Sequence, residues 1–529
     1  MAAEAQEESD DRLQETDVVP PEQSDAEANR IAANNAPTTS NPQANSYGSI
    51  AGSSIKPAIP SPRALAPDLL RGLLMVFQSI DHSAMAFGAW QHGTGLLSED
   101  DGQVVDTWNS PSAWTARMLT HLCAPGFMFL LGMGVVYFGR SRAKLGWTVR
   151  SMVSHFAVRA LVLFLVNEFI GLGLGAGQVL VLNIVLVALA VNYFLAGLLW
   201  LLINYTEPRL ARALSRLTAL QVDDDAERPL LNGVANAQTA QQQQKITPRA
   251  TSLSWHVHNT ILLALAAVTI WWNILLSPDS GHCLIGSAHT SSPLRPDGNV
   301  TSLGIWFDFW FFPVRSAFVI SGFPPLAWTS FAILGLLYGR IVTARPWSRS
   351  ALNASNAAVG VGYFAIFAAT RLLHFGNLSE GCLRMPEQHG GNQYLASFRA
   401  FFYITKYPPS VAYLCLTMAL NHLLLALFGA LPPSFAAKIP TLMTFGTSAL
   451  FFYVAHLFLF MGSAVVINPA FGHPLGYEDP IRHKPAYGLG NTWRYWLTWV
   501  VGLAILLPLC WWYGRFKAGK GPNSIWRFF

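Results

Sequence analysis

The amino-acid sequence predicts an all-α integral membrane protein, a polytopic helix bundle with about ten transmembrane helices and both termini in the cytosol. Composition is the first reason. Of the 529 residues, 52% are hydrophobic and only 12% are charged, whereas an ordinary soluble chain carries about 25% charged residues. The apolar residues also form ten separate long runs, and the cationic residues cluster between them. These observations exclude a soluble globular protein.

Each predicted helix corresponds to a run of roughly 20 mostly apolar residues, the length that crosses the hydrocarbon core of a bilayer. The ten predicted spans are residues 65–87, 115–138, 152–172, 179–203, 257–276, 317–340, 353–373, 410–431, 441–466 and 495–513. A long polar segment separates the first four spans from the last six. The bundle therefore has two parts.

Polar segments divide the chain into five regions. Residues 1–60 show no apolar periodicity and no signal-peptide core, which predicts a disordered cytosolic tail. Residues 206–254 contain three successive Asp and a Gln run, which predicts a disordered cytosolic loop. The membrane parts are then 61–205, with four helices, and 255–514, with six, and residues 515–529 form a second cytosolic tail.

The cationic clusters orient the bundle, because Lys and Arg stay on the cytosolic side of short loops. The clusters are Arg140, Arg142, Lys144 and Arg150, then Arg209, Arg212 and Arg216, then Arg340, Arg345 and Arg349, and finally Arg515, Lys517 and Lys520. The opposite side receives the acidic loop at Glu99 and two glycosylation acceptor patterns, at Asn299 and Asn377. With a formal net charge of only +5, this placement indicates membrane topology and no nucleic-acid partner.

The first predicted helix carries a stripe of polar residues. Asp68, Arg71, Gln78 and His82 recur at intervals that place them on one helical face, while Asp81 lies about 100° away. Arg71 and His82 are about 16 Å apart along the helix axis. Ionisable groups at membrane depth are costly and usually face a cavity or a partner. The stripe therefore predicts a polar route through the protein.

Further cationic pairs occupy the next two helices. Arg117 and His121 share one helical face, and His155 and Arg159 share another. Buried cations ordinarily need partners or an anionic ligand. We therefore expect a phosphate-bearing ligand that enters from the cytosol. The alternatives are that either pair is purely structural and that Arg71 lies at the membrane interface.

Three histidines are candidate proton acceptors. His82 lies at the far end of the stripe, and His92 lies in the loop that follows, where a neutral imidazole could take a proton from a hydroxyl or amine. His456 lies among aromatic residues in the middle of a later helix. A loop histidine is usually surface and a buried one is usually a satisfied core residue, so the sequence does not rank His92 and His456.

Six motifs occur in an order that is typical of one family. They are Asp68-Leu-Leu-Arg71-Gly72 with Asp81-His82, Arg117 to Pro125 and Gly132, Phe323-Pro-Pro to Trp328 and Arg340, Lys406-Tyr407-Pro-Pro-Ser410, Phe451-Phe-Tyr453 with His456, and Pro508 to Lys517. In these motifs the chain resembles the heparan-alpha-glucosaminide N-acetyltransferase-like membrane acyltransferases. The resemblance covers about residues 63–520.

The resemblance implies transfer of an acetyl group from cytosolic acetyl-CoA to a lumenal or extracytoplasmic amino sugar, glycan or other small acceptor, without a metal. We interpret His82 and His92 as candidate catalytic bases and Asp81 as a residue that orients its neighbour. The expected donor-binding residues are Asp68, Arg71, Gln78, Arg117, His121 and Arg159. The residues expected to shape the site are Trp328, Lys406, Tyr407, Tyr453 and His456.

The chain also departs from the lysosomal enzyme of this family. That enzyme has a lumenal domain before its first helix and an Asn in place of His82, and its essential lumenal histidine falls at His92. Bacterial relatives instead show the Asp-His pair. Acceptor recognition therefore need not carry over. Three choices stay open: N- or O-acetylation, direct transfer or an acetyl-histidine intermediate, and which histidine is the base. We expect substitution of either His82 or His92 by Ala to abolish most of the transfer.

The alternative function is a membrane transporter, or a non-catalytic sensor that retains the acyltransferase-like fold, because buried Asp, Arg and His also build substrate pathways. The two parts of the bundle show no convincing similarity, which disfavours a transporter built from repeats. Expected partners are acetyl-CoA, the acceptor and membrane lipid, and a homodimer stays open. Short sorting patterns favour a vacuolar, lysosome-like or other endomembrane location, with the plasma membrane as the alternative.

The five cysteines show no paired metal-ligand spacing. Cys123, Cys415 and Cys510 fall within predicted helices. Only Cys283 and Cys382 lie in non-cytosolic loops, where the compartment permits oxidation. We predict a disulfide between these two residues.

Overall fold

The computed structural model describes residues 65–96, 99–174, 181–225, 246–283, 302–315, 319–387, 390–432, 434, 439–479, 484–521, 524 and 526. All of them belong to one unit, Arg63–Phe529. The predicted disordered tail, residues 1–60, and the glycosylation pattern at Asn299 lie outside the described residues.

Helices make up most of the described chain. They are α1 (Leu65–Phe87), α2 (Pro111–Thr120), α3 (Cys123–Lys144), α4 (Val149–Leu174), α5 (Val185–Asp225), α6 (Pro248–Leu275), α7 (Ser302–Phe311), α8 (Thr329–Ala344), α9 (Arg349–Leu372), α10 (Phe398–Phe402), α11 (Val411–Ala430), α12 (Pro440–Thr447), α13 (Ala449–Phe471) and α14 (Trp493–Ala518). The short strands are β1 (Val181–Asn183), β2 (Val314–Arg315), β3 (Val319–Ser321), β4 (His473–Asp479) and β5 (Lys484–Gly488).

The predicted all-α polytopic membrane bundle is confirmed. Within the described ranges, nine helical segments are long and apolar enough to cross a membrane, with α2 and α3 counted as one. Helix α1, with 23 residues, is the tenth long segment. It is more polar than the others because it carries Asp68, Arg71 and Asp81.

The two ends of the bundle differ in their charged residues. Arg140 donates to Thr343 Oγ1 at 3.1 Å, and Arg340 pairs with Glu207 at 2.6 Å, so three of the predicted cationic clusters meet at one end. We call this end, where α1 begins, the basic end. The opposite end, where α1 finishes and residues 88–110 follow, is the loop end. The cationic clusters of the sequence thus segregate as predicted.

Helix α1 is clamped at both ends by glycine contacts. At the basic end, Gly446 of α12 packs so closely that an added Cβ atom would collide with the carbonyl of Asp68. At the loop end, a Cβ atom on Gly488 of β5 would collide with the carbonyl of Phe87. The backbone N–H of Leu489 also donates to the Phe87 carbonyl at 2.7 Å. Only glycine permits such close backbone approach.

The prediction of a disordered loop over residues 206–254 is wrong at both ends of this range. Helix α5 extends to Asp225 and α6 begins at Pro248, so 206–225 and 248–254 are helical. The extension of α5 is rich in Ala, Leu and Arg, which are strong helix formers. Ser254 Oγ of α6 donates to the Glu207 carbonyl of α5 at 2.7 Å, so packing also holds the two extensions together. Residues 226–245 lie outside the described ranges.

Two predicted spans begin too early. Residues 179–203 open with β1, and residues 317–340 contain β3, before their helices start. The two strands pair in parallel, with Val181 opposite Val319. Short apolar runs read equally well as helix or strand, and pairing with a distant segment decided between them. At the other end of the chain, α14 continues to Ala518, into the predicted tail 515–529.

The predicted disulfide between Cys283 and Cys382 is confirmed, with their Cα atoms 5.0 Å apart. It joins the segment after α6 to the segment after α9 at the loop end. Cys123, Cys415 and Cys510 are free and buried.

Asn377, near the disulfide, is also buried, and its Nδ2 donates to the Thr370 carbonyl at 3.0 Å and to Glu380 at 2.6 Å. This burial disfavours the predicted glycosylation of Asn377.

Candidate functional site

A buried ion network joins α1 to α2 at the loop end. Arg117 of α2, only 1% exposed, donates from Nη1 to Asp81 Oδ2 at 3.0 Å and from Nη2 to Glu99 Oε2 at 2.8 Å. Glu99, in the loop between these helices, also accepts from the Thr94 backbone N–H at 2.7 Å. One cation therefore bridges two buried carboxylates.

Glu99 is held in its ionised form. Burial by itself would raise its pKa, but the adjacent Arg117 and His121 outweigh this effect, and the pKa lies well below the ordinary value of 4.5. His121 Nε2 lies 3.5 Å from Glu99 Oε2. Glu99 was not predicted as a site residue, because the sequence analysis assigned it only to an acidic loop. The signal that could have found it is Arg117, since a buried arginine needs a carboxylate partner.

His92 is fixed by the same network through both ring nitrogens. Arg117 Nη1 lies 2.9 Å from His92 Nε2, and Asp81 Oδ1 lies 3.3 Å from His92 Nδ1. Because a guanidinium can only donate, Nε2 accepts and Nδ1 carries the proton that points to Asp81. Asp81 thus accepts from His92 Nδ1, and the His92 lone pair is occupied by Arg117 in this arrangement.

His82 is joined instead to His456 of α13. Nδ1 of His82 lies 2.7 Å from Nε2 of His456, and Nδ1 of His456 lies 2.9 Å from the Phe452 carbonyl oxygen. The two rings are 8° from coplanar with centroids 5.0 Å apart, so they meet edge to edge. His456 is fully buried, while His82 is partly exposed. The structure brings together two histidines that are 374 residues apart in sequence.

A cavity of about 270 Å³ opens near the basic end, between α1 and the helices α3, α4, α5, α12, α13 and α14. Its walls are mostly apolar. Three cationic side chains, Arg71, Arg159 and Lys517, line it. Arg71 is paired with Asp68 at 2.9 Å, so Asp68 holds one of the cavity's cations in place. Lys517 had been assigned to the cationic tail and to the last motif, but not to the donor site, because the sequence does not show that α14 turns this residue toward the bundle.

The cavity approaches the histidine pair along α1. Met75 and Tyr453 line its inner part. The rings of Tyr453 and His82 are nearly perpendicular, with centroids 6.2 Å apart. Gln78, one helical turn beyond Met75, is 7% exposed, and its Oε1 atom has no hydrogen-bond partner among the residues that the structure describes. The polar stripe of the sequence thus connects the cavity to His82.

Four of the six predicted donor-binding residues do not line this cavity. Asp68 and Gln78 lie on α1 near the lining residues Arg71 and Met75. Arg117 and His121 were expected to attract phosphates, but both lie in the ion network at the other end of the bundle. Arg117 has its charge satisfied by Asp81 and Glu99, which leaves it no capacity for a ligand phosphate. The prediction was wrong because helical spacing shows that two residues share a face but not which carboxylate they meet.

Lys406 brings a further positive charge to the loop end. It is 4% exposed, and its Nζ atom lies 5.1 Å from the ring centroid of Tyr407 and 5.5 Å from that of Phe323. Its backbone N–H donates to the Glu99 carbonyl at 3.0 Å, which places it beside the ion network. Trp328 is fully buried and packs against Phe323 at 5.3 Å, so it supports this wall without reaching the histidines.

Among the described residues, no group of three or more His, Cys, Asp or Glu side chains is placed to hold a metal ion. No protein-family model matches this chain, and no curated protein matches its sequence.

Proposed function

We propose that this protein is a transmembrane acyltransferase that moves an acetyl group from acetyl-CoA, bound at the basic end, to a small acceptor at the loop end. The observation that carries the proposal is the cavity with three cations that approaches the His82–His456 pair along α1. A cationic mouth, apolar walls and a histidine at the far end match the phosphates, the arm and the thioester of the donor. The family resemblance of the motifs supports the same donor.

The three cations of the cavity would hold the phosphates of the donor. Arg71, Arg159 and Lys517 come from three different helices and line one space, and such convergence suits an anion with several oxygens. A volume of about 270 Å³ suits the pantetheine arm, with the nucleotide at the mouth. The proposed entry side is the cytosol, because the cationic clusters lie at this end.

Gln78 and Tyr453 control the last step of this path. Within the described part of the chain the buried Gln78 Oε1 atom has no donor, and the amide N–H groups of a pantetheine arm would supply one. Tyr453 separates the cavity from His82. We therefore expect the Tyr453 ring to turn aside when the arm extends toward the histidines.

The proposed reaction uses His82 as a general base. His82 takes a proton from the acceptor amine or hydroxyl, whose lone pair attacks the thioester carbonyl carbon. The carbon–sulfur bond then breaks, and the thiolate of the coenzyme takes up the proton and leaves as a thiol. Lys406 would stabilise the negative oxygen of the tetrahedral intermediate, because its ammonium group is already in place and largely shielded from water.

Donor binding tests the proposal directly. Acetyl-CoA at about 100 times its Kd should stabilise the detergent-solubilised protein by about 2.7 kcal/mol. Arg159→Ala and Lys517→Ala should each raise the Kd by about tenfold, the loss of one charge-assisted contact. Titration calorimetry and thermal unfolding would measure both.

The matched control for donor binding is Arg345→Ala. Arg345 is a cation at the same end of the bundle, stacked on Trp347 and outside the cavity lining, so its loss should leave the Kd unchanged. If wild-type protein shows neither heat of binding nor a thermal shift with acetyl-CoA, the proposed donor is wrong.

Lys406→Met is expected to lower kcat for acetyl transfer by about 10²- to 10³-fold, because the developing oxyanion loses its fixed cation. The Kd for acetyl-CoA should stay within about twofold, since Lys406 lies outside the donor cavity. Arg494→Met, which removes an exposed cation from the loop end of the bundle, serves as the control. Equal kcat values for the two variants would exclude Lys406 from the chemistry.

A further inference from the structure

The hydrogen bonds around His456 determine where its protons lie. Its Nδ1 atom faces the Phe452 carbonyl oxygen at 2.9 Å. A carbonyl can only accept, so His456 Nδ1 carries a hydrogen. In the neutral ring, Nε2 is then the atom with the free lone pair, and it is this atom that lies 2.7 Å from His82.

The same reasoning passes to His82. Because His456 Nε2 accepts, His82 Nδ1 must donate, and neutral His82 then keeps its lone pair on Nε2. The near-coplanar, edge-to-edge arrangement of the rings suits this bond, because the N–H groups and lone pairs of imidazole lie in the ring plane. The direction of both hydrogen bonds is thus set by one backbone carbonyl in α13.

We infer that His456 is a positioning residue that selects the Nδ1–H tautomer of His82 and so presents the His82 Nε2 lone pair as the base. This inference rests on the proposed function for its kinetic consequence. A free imidazole prefers the opposite tautomer slightly, so a partner is needed to fix this one. In a serine hydrolase triad a carboxylate fixes the histidine in the same way. Here a neutral histidine, itself oriented by a carbonyl, takes that place.

The neutral partner also changes what happens after proton transfer. When His82 accepts a proton at Nε2, its Nδ1–H still donates to His456 Nε2, now as a charge-assisted bond. Two imidazolium rings 2.7 Å apart in a buried site would repel, so the pair takes up one proton at a time. His82 is therefore a base that releases its proton readily to the leaving thiolate.

Several charged and titratable groups surround His82. They are Asp81 of α1, His92 of the following loop, Arg117 of α2, Lys406 before α11, Tyr453 and His456 of α13, and, through Ser83, Tyr495 of α14. Of these, His456 is the residue whose Nε2 atom accepts the short hydrogen bond from His82 Nδ1. An uncharged substitution of His456 that removes this acceptor should therefore change the tautomer while the charges around the site stay the same.

The direct test is nitrogen NMR of protein labelled with 15N-histidine in lipid nanodiscs, with His82→Gln to assign the His82 signals. We expect wild-type His82 in the Nδ1–H form. His456→Phe, which keeps a ring but removes the acceptor, should shift His82 toward the Nε2–H form. This measurement needs no substrate, so it tests the inference even if acetyl transfer is not the activity.

Kinetics supply the second readout. His456→Phe should lower kcat by about 10²-fold or more with the donor Kd unchanged, as expected for a base in the wrong tautomer. His456→Gln should restore kcat to within about tenfold of wild type, because its amide oxygen can accept from His82 Nδ1. His456→Asp should move the acid limb of the kcat profile to higher pH, because a carboxylate stabilises the imidazolium of His82.

The matched control is His422→Phe. His422 is also buried among aromatic rings, but it bonds to Asn356 Oδ1 at 3.2 Å, away from this pair, so its loss should leave the tautomer and kcat unchanged. Wild-type His82 in the Nε2–H form would overturn the inference. So would a folded His456→Gln variant as inactive as His456→Phe. A wild type that transfers no acetyl group would reject the proposed function and leave the NMR test standing.

Discussion

His82→Ala is expected to lower kcat for acetyl transfer by about 10²- to 10⁴-fold, the range for removal of a general base. The Kd for acetyl-CoA should change little, because the cations that would hold the donor line a cavity nearer the other end of α1. Unfolding should also change little, since His82 is partly exposed and its bond to His456 is one of many contacts of α1. Single-turnover transfer with labelled acetyl-CoA would measure the rate.

His92→Ala provides the comparison that identifies the base. The lone pair of His92 accepts from Arg117, and its Nδ1–H faces Asp81. Its removal should therefore lower the melting temperature and reduce kcat by less than His82→Ala does. A larger kcat loss in the His92 variant, with unchanged stability, would transfer the role of base to His92.

Arg117→Met is expected to destabilise the fold by about 3–5 kcal/mol, the cost of leaving buried carboxylates without their cation. Asp81 and Glu99 both lose their partner in this variant, and both are buried. Thermal or denaturant unfolding in detergent would measure the loss. Arg494→Met, at an exposed position, is the control and should cost little.

A double-mutant cycle identifies the partner. In the Arg117→Met protein, adding Glu99→Gln should cost less than Glu99→Gln costs in wild type, because the carboxylate no longer has its cation. Additive losses in the two variants would show that Arg117 and Glu99 are not coupled, contrary to their 2.8 Å contact.

Glu99 also sets the pH range over which the ion network persists. Its folded pKa lies well below 4.5, so its contribution to stability is present above about pH 4.5 and is lost as the pH falls through the folded value. Between pH 5 and 8, the Glu99 contribution should stay constant. The network therefore tolerates a mildly acidic compartment.

The sequence predicted those parts of the site that depend on a single helix. The stripe of Asp68, Arg71, Gln78 and His82 follows from helical periodicity. In the structure Arg71 lines the cavity and pairs with Asp68, and His82 contacts His456. The Cys283–Cys382 bond was also predictable, because elimination left two candidates.

Contacts between distant segments were not predictable in the same way. Arg117 forms ion pairs with Glu99 and Asp81 instead of lining a phosphate site. His82 forms a hydrogen bond with His456 of α13. Helical spacing shows which side chains share a face, but the neighbour of that face depends on how ten segments pack. The strand pairing of Val181 with Val319 has the same origin.

The glycine contacts at Gly446 and Gly488 have a consequence for how a group could cross the bilayer. Backbone touches backbone at both ends of α1, so sliding or tilting this helix would break contacts that have no slack. A carrier that works by rocking needs its central helix to move between two positions. The close packing of α1 at both ends opposes such a movement. Under the proposed function, the flexible arm of the donor would then have to span the roughly 16 Å between Arg71 and His82, while the backbone of α1 keeps its position.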